Sequence, residues 1–135
     1  PWRRLPGERG ILIPFQAGID SGLGAILVSH NIVTALDGER PASLSPAVMA
    51  YLRQSMGFSG VILTDDLSMG ALEDYTPEEA AVLALQAGAT MLCSTDFDTQ
   101  IPAVLEAVRN GRLSGQAVED AVYKILTWKQ SLGLL

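Results

Sequence analysis

The sequence predicts an α/β fold with parallel strands, and three observations carry that prediction. Apolar residues switch repeatedly between helical spacing and short unbroken runs. Three such runs, Ala25–Ser29, Val61–Thr64 and Met91–Cys93, are separated by segments bearing helix-start and helix-stop residues. Each run is apolar rather than alternating, which is the pattern of strands covered on both faces.

The elements follow in order. Leu12, Phe15 and Ile19 stand at helical spacing within 11–21, and Gly22 is placed as a C-terminal stop. Strand 25–29 then runs to His30. The loop NIVTALDGERPASL follows, rich in turn formers. Ser45 caps a helix that has Pro46 at its first position and ends at Gly57. Strand 61–64 comes next. Thr76 and Glu79 form a capping box that opens a helix running to Gly88. After strand 91–93, a helix is expected around 101–110, stopped by Gly111. Ser114 opens a last helix, with Val118, Ala121, Val122, Ile125 and Leu126 in one apolar stripe. Three strands leave two sheet edges open, an arrangement proteins normally avoid. The chain is therefore expected to be part of a larger parallel sheet or barrel, with open edges that favour self-association.

Composition narrows the function classes. The chain has 135 residues, 48% of them hydrophobic and 18% charged, enough for one domain with a core. A formal charge of −6 with scattered basic residues argues against a nucleic-acid surface. No apolar run is long enough for a membrane span, and the start of the chain does not resemble a signal peptide, which leaves the compartment open. Cys93 is the single cysteine, so no internal disulfide forms. Its apolar surroundings in MLCS read as those of a small buried hydrophobe.

The segment GFSGVILTDDLSMGAL, residues 57–72, raises the chemical question, because its apolar run ends on two adjacent acids, Asp65 and Asp66. In parallel α/β folds the chemistry sits at the carboxyl ends of the strands. Strand alternation turns the two carboxylates to opposite sides, so one is expected to face a site and the other to bind loop amides. Three readings of the pair stand at this point. Both acids can satisfy turn amides. Asp65 can be the carboxylate that attacks an anomeric carbon in glycoside hydrolysis. In the third, Asp66-Leu67-Ser68-Met69 resembles the phosphoacceptor segment of signalling receiver domains. A receiver also needs a lysine closing a later strand, and Lys124 and Lys129 both lie in the last helix, while Gly70 replaces the proline usual after the methionine.

The same segment resembles the nucleophile region of the family 3 glycoside hydrolases, in their β-N-acetylhexosaminidase branch, where it reads like GFDGVIxTDDLxM. The likeness continues in IPFQAGIDSGLGAILVSH, in RPASLSPAV and in AVRNGRLSGQAVEDAVYKILTWKQSLGLL, in order across essentially the whole chain. The family's catalytic domain is a (β/α)8 barrel of the TIM type. The resemblance therefore implies that residues 1–135 are a single partial barrel domain, its C-terminal portion, with strands corresponding to about the sixth to eighth. It further implies Asp65 as the nucleophile, His30 and Met69 beside the sugar, and Asp66 as structural. Ser55 and Ser59 stand where the family often has acids, away from the chemistry. The family's acid/base histidine and aspartate, on a KH-x-PGHG…DSH-like loop, have no counterpart here, and the chain opens at Pro1-Trp2-Arg3-Arg4 about where that loop would have ended. The implied parent is a retaining exo-glycosidase that releases terminal β-linked N-acetylglucosamine, for example from peptidoglycan fragments, without metal or organic cofactor. The isolated chain is expected to be inactive, and the alternative from another class is a non-catalytic half-barrel association module.

Overall fold

The computed structural model describes residues 9–135. The reading of residues 1–4 as the end of a preceding loop lies outside the described residues. Helix α1 (Arg9–Asp20) leads through Gly22, at φ +85°, into strand β1 (Ala25–Val28). A loop closed by an antiparallel bridge between Ile32 and Pro41 returns to the end of β1 as a short 3-10 turn, Ala42–Leu44. Helix α2 (Pro46–Ala50) then widens into a π-helical segment, Tyr51–Ser55, before strand β2 (Val61–Asp66). Helix α3 (Pro77–Ala87), strand β3 (Met91–Cys93), helix α4 (Phe97–Arg109) and helix α5 (Gly115–Ser131) complete the chain.

The three strands form one parallel sheet in the order β1-β2-β3. Helix caps appear where the sequence places them. Ser45 accepts from Val48 N–H, Thr76 and Glu79 make both bonds of a capping box, and Ser114 accepts from Ala117 N–H. These are local devices, each satisfying amides that the first helical turn leaves unpaired.

Four elements differ from the sequence expectation. Strand β2 runs two residues further, so the acids are its last two residues instead of following it. Helix α4 starts at Phe97, not Ile101, because Asp96 opens it: the Asp96 carbonyl accepts from Thr99 and Gln100 N–H, and its carboxylate accepts the Thr99 hydroxyl. Pro102 sits inside that helix and marks no boundary. The apolar stripe of α5 is not buried: Val122 is 48% and Leu126 46% exposed. Finally, Cys93 is exposed, not buried.

One cause explains the last difference and sharpens the sheet. Ile26, Val28, Ile62 and Thr64 point to one face and are buried at 0 to 7% exposure beneath the helices. Leu27, which alternation turns to the other face, is 51% exposed, and Leu63 beside it is only half-buried. Among the described residues the helices therefore cover one face of the sheet, and the other is open at Leu27 and Leu63, while Val61 at its amino end is buried. The register puts Met91 beside Leu63, so Met91 and Cys93 belong to the uncovered face, and the thiol meets solvent there.

At the amino ends of the strands, two glycines permit close approaches. A β-carbon on Gly60 would collide with the Gly24 carbonyl and the Phe58 ring, and one on Gly24 would strike the Trp128 indole of α5. Arg53, from the widened helix, donates to the carbonyls of Phe58 and Gly60 and to the Thr90 hydroxyl, and its guanidinium lies over the Phe58 ring. Burial lowers its pKa from the ordinary arginine value. No described helix is long and apolar enough to cross a membrane.

Candidate active site at the carboxyl ends of the strands

β2 reaches the site through a bulge. Leu63 pairs with Met91 and Asp66 with Cys93, so β2 carries one residue more than β3 between the same two rungs. The Thr64 hydroxyl accepts the Cys93 N–H at 3.1 Å, and the Cys93 carbonyl accepts Leu67 N–H at 3.1 Å. Such bulges re-aim the residues that follow them. Here the residues that follow are the two acids.

The acids divide their tasks. Asp66 Oδ1 accepts the backbone N–H of Ser68 at 2.9 Å and the hydroxyl of Thr95 at 3.4 Å. The Ser68 bond, with further help from Thr95, holds its carboxyl below the usual carboxylate range. Asp65 behaves differently. Its Oδ1 accepts only the adjacent Asp66 N–H, at 2.9 Å, and Oδ2 takes no hydrogen bond from the described residues. Both acids are half-buried, and the bulge interrupts the strict alternation of the strand at this point.

His30 and Met69 converge on the same turn. The Asp66 carbonyl lies 2.8 Å from His30 Nε2 and also accepts Met69 N–H at 3.1 Å. His30 Nδ1 lies 2.7 Å from the Ser43 hydroxyl, so both ring nitrogens are engaged, and the residue is 8% exposed. The Met69 side chain is 46% exposed and lines a shallow hollow with Ser68, Tyr75 and Thr95. Thus the structure brings His30, Asp65 and Met69 to one end of the sheet, around the backbone of Asp66.

Ser43 is the participant that sequence reasoning passes over. It is fully buried, its N–H bonds the Ser29 carbonyl at 3.2 Å, and it stands thirteen residues from the histidine it contacts. The loop that delivers it is organised by Asp37. That carboxylate accepts the Glu39 and Arg40 N–H groups and the Ser45 hydroxyl, the last at 2.7 Å. These bonds, the Ser45 hydroxyl foremost, lower the Asp37 pKa. The signal available was ASLS after a proline, a loop returning small polar residues to a strand end. Among the described residues no group of three or more His, Cys, Asp or Glu side chains is arranged to hold a metal.

Comparison with known proteins supplies the family context. The profile of the glycosyl hydrolase family 3 N-terminal domain matches residues 8–128. Beta-hexosaminidase LpqI of Mycobacterium tuberculosis is 35% identical over 129 residues, covering 87% of this chain and 33% of that protein. The periplasmic beta-glucosidase of Salmonella typhimurium is 29% identical over 129 residues, covering 90% of this chain and 16% of that protein. Among solved structures, the family 3 beta-N-acetylglucosaminidase of Paenibacillus sp. superposes with a TM-score of 0.85 at 34% identity, over 91% of this chain and 25% of that one. The chain thus spans a third or less of these relatives.

Proposed function

This chain belongs to glycosyl hydrolase family 3, and we propose that it is the part of a retaining β-N-acetylglucosaminidase that carries the nucleophile, Asp65. In this reading its strands are about the sixth to eighth of a (β/α)8 barrel, whose interior is the sheet face that the helices leave uncovered. The likeness to the Paenibacillus structure over 91% of the chain supports that placement.

The single observation that carries the assignment is the contrast between the acids. Asp66 Oδ1 is tied into its own turn by Ser68 N–H and the Thr95 hydroxyl, whereas Asp65 accepts only its neighbour's N–H, on Oδ1, and in this reading presents its Oδ2 at the carboxyl end of the strand. Attack by that oxygen on the anomeric carbon breaks the glycosidic bond and leaves a glycosyl-enzyme ester, which water then cleaves with net retention. The leaving oxygen needs a proton. His30, the one histidine of the sequence, has both nitrogens occupied, and the histidine–aspartate acid/base pair that the resemblance implies has no counterpart in these residues, so the isolated chain is expected to turn over no glycoside. Met69 lines the sugar subsite.

The test is a chimera in which this chain replaces the matching stretch of the Mycobacterium tuberculosis relative. The expected result is release of N-acetylglucosamine in preference to glucose from chromogenic β-glycosides, abolished by Asp65→Asn and largely kept by Asp66→Asn. A folded chimera without turnover, or one that survives Asp65→Asn, overturns the reading.

A second reading is favoured by one observation: apolar side chains flank both sheet edges. Ile11 and Phe15 are 65% and 41% exposed beside β1, and Phe97, Ile101 and Leu105 are 51 to 57% exposed beside β3. In that reading the chain is an association module whose edges pair with a second copy. Sedimentation of the isolated chain decides it, a concentration-independent monomer excluding self-pairing.

A further inference from the structure

We propose that Ser43 and His30 are positioning residues for Asp65, acting through the backbone of Asp66, and that His30 is not a sugar ligand. The proposal rests on the reading of Asp65 as nucleophile and deepens it.

Donor and acceptor chemistry fixes the direction of these bonds. A carbonyl oxygen only accepts, so the 2.8 Å contact between His30 Nε2 and the Asp66 carbonyl requires the proton on Nε2. In the neutral ring Nδ1 is then a lone pair, and the Ser43 hydroxyl 2.7 Å away must donate to it. The bonds run in one direction, from the Ser43 hydroxyl to Nδ1, and from Nε2–H to the Asp66 carbonyl. Ser43 is fully buried and tied to Ser29 through its own N–H, so no water competes for its hydroxyl and its position is fixed. The serine therefore sets the tautomer, as a second partner commonly does for histidine.

The other end of this relay is the reacting group. Asp66 has its carbonyl held by His30 and Met69 N–H, and its carboxylate held by Ser68 and Thr95. The one remaining backbone group, its N–H, points to Asp65 Oδ1 at 2.9 Å. The backbone groups and Oδ1 of the second acid thus act as a bracket for the first. One carboxylate oxygen of Asp65 is fixed and the other is presented. A ring with both nitrogens engaged and 8% exposure has no N–H to offer a sugar hydroxyl.

The experiment compares amides that imitate one ring nitrogen at a time, in the chimera described above. Gln at position 30 can place an amide N–H near the Nε2 position and keep the bond to the Asp66 carbonyl. Asn reaches only the Nδ1 position, keeping the Ser43 side and losing the carbonyl. His30→Gln is expected to retain kcat within about fivefold. His30→Asn and Ser43→Ala should lower kcat by about 10²-fold, the size of effect a misplacement near 1 Å produces, with KM within about twofold. A sugar ligand behaves otherwise: both substitutions at position 30 would raise KM. Asp65→Asn is run in parallel. If it is inactive while His30→Asn and Ser43→Ala keep wild-type kcat, or while KM alone rises, the positioning role falls and the nucleophile assignment stands. If Asp65→Asn is itself active, both fall together. Melting curves of each variant separate loss of positioning from loss of fold, and should a variant at position 30 melt early, the Ser43→Ala arm decides.

Discussion

The two ends of the sheet are held by opposite strategies. At the amino ends, one cation closes the structure on itself. Arg53 donates to two carbonyls and a hydroxyl, Thr90 accepts in turn from Ile62 N–H, and glycines at 24 and 60 let the Gly24 carbonyl, the Phe58 ring and Trp128 approach closely. At the carboxyl ends, two donors meet on Asp66 Oδ1, while Oδ2 of Asp66 and Oδ2 of Asp65 accept no hydrogen bond from the described residues. On the proposed reading, the difference separates a structural polar cluster from a chemical one. In the first the guanidinium's bonds end on two backbone carbonyls and a hydroxyl, whereas in the second two carboxylate oxygens are left without donors.

That contrast breaks most easily at Asp65. In the chimera, Asp65→Asn and Asp65→Ala are expected to reduce N-acetylglucosamine release by about 10⁴-fold or more, the scale seen when a covalent nucleophile is removed. The melting temperature should hardly move, because Asp65 makes one local hydrogen bond. A substantial loss of stability would place Asp65 among the structural groups and dissolve the comparison.

The reverse pattern is expected at Arg53. Arg53→Ala leaves the Phe58 and Gly60 carbonyls without their donor and should cost about 2–4 kcal/mol, measured by denaturant unfolding. In the chimera the fraction that remains folded should keep its KM. If Arg53→Ala changed KM while leaving stability intact, the amino end would be a site and not a clamp.

These two residues also mark what was legible in the sequence. The caps at Ser45, Thr76 and Ser114, the three strands and the stop glycines are local devices, written in three or four consecutive residues, and they appear as read. The acid pair was legible because an apolar run ending on two carboxylates is itself a local anomaly, and the role of Asp65 is the proposal made above. Arg53 and Ser43 were not legible. Their partners lie up to 37 and 13 residues away, and what joins them is strand register and the return of a loop. The bulge that lengthens β2 is likewise a property of the pairing with β3 and not of either strand. Cys93 was misread for the same reason, since MLC does not say which sheet face the helices cover.

Thr90 sharpens the clamp on a smaller scale. Its hydroxyl accepts from both Arg53 and Ile62 N–H, and the residue is 6% exposed. Thr90→Val keeps the shape and removes the acceptor. A loss of about 1–3 kcal/mol is expected, since a buried N–H is left unpaired. Thr90→Ser, which keeps the hydroxyl, should recover most of it. Equal losses in the two variants would assign the effect to packing.

The smallest effect separates the ends by pH. Asp66 and Asp37 both lie at the carboxyl end, and hydrogen bonds, from Ser68 N–H and the Ser45 hydroxyl first of all, hold their folded pKa values below the ordinary carboxylate value. A depressed folded pKa means that the folded state binds the proton less readily than the unfolded chain does. The resulting stability is therefore fully present above the unfolded value of about 3.9, and it is lost as pH falls through the folded values. Both carboxylates are solvent-accessible, so the shift in melting temperature should be modest and weaken with salt. Asn at either position can still accept a hydrogen bond but does not titrate. The double variant Asp66→Asn, Asp37→Asn should accordingly melt somewhat lower than wild type near neutrality and lose less between about pH 5 and pH 3. Arg53 stays charged across that range, so Arg53→Ala should shift the whole curve without changing its slope. Parallel acid slopes for wild type and the double asparagine variant would show that the acid-sensitive bonds lie elsewhere than in the turn presenting Asp65.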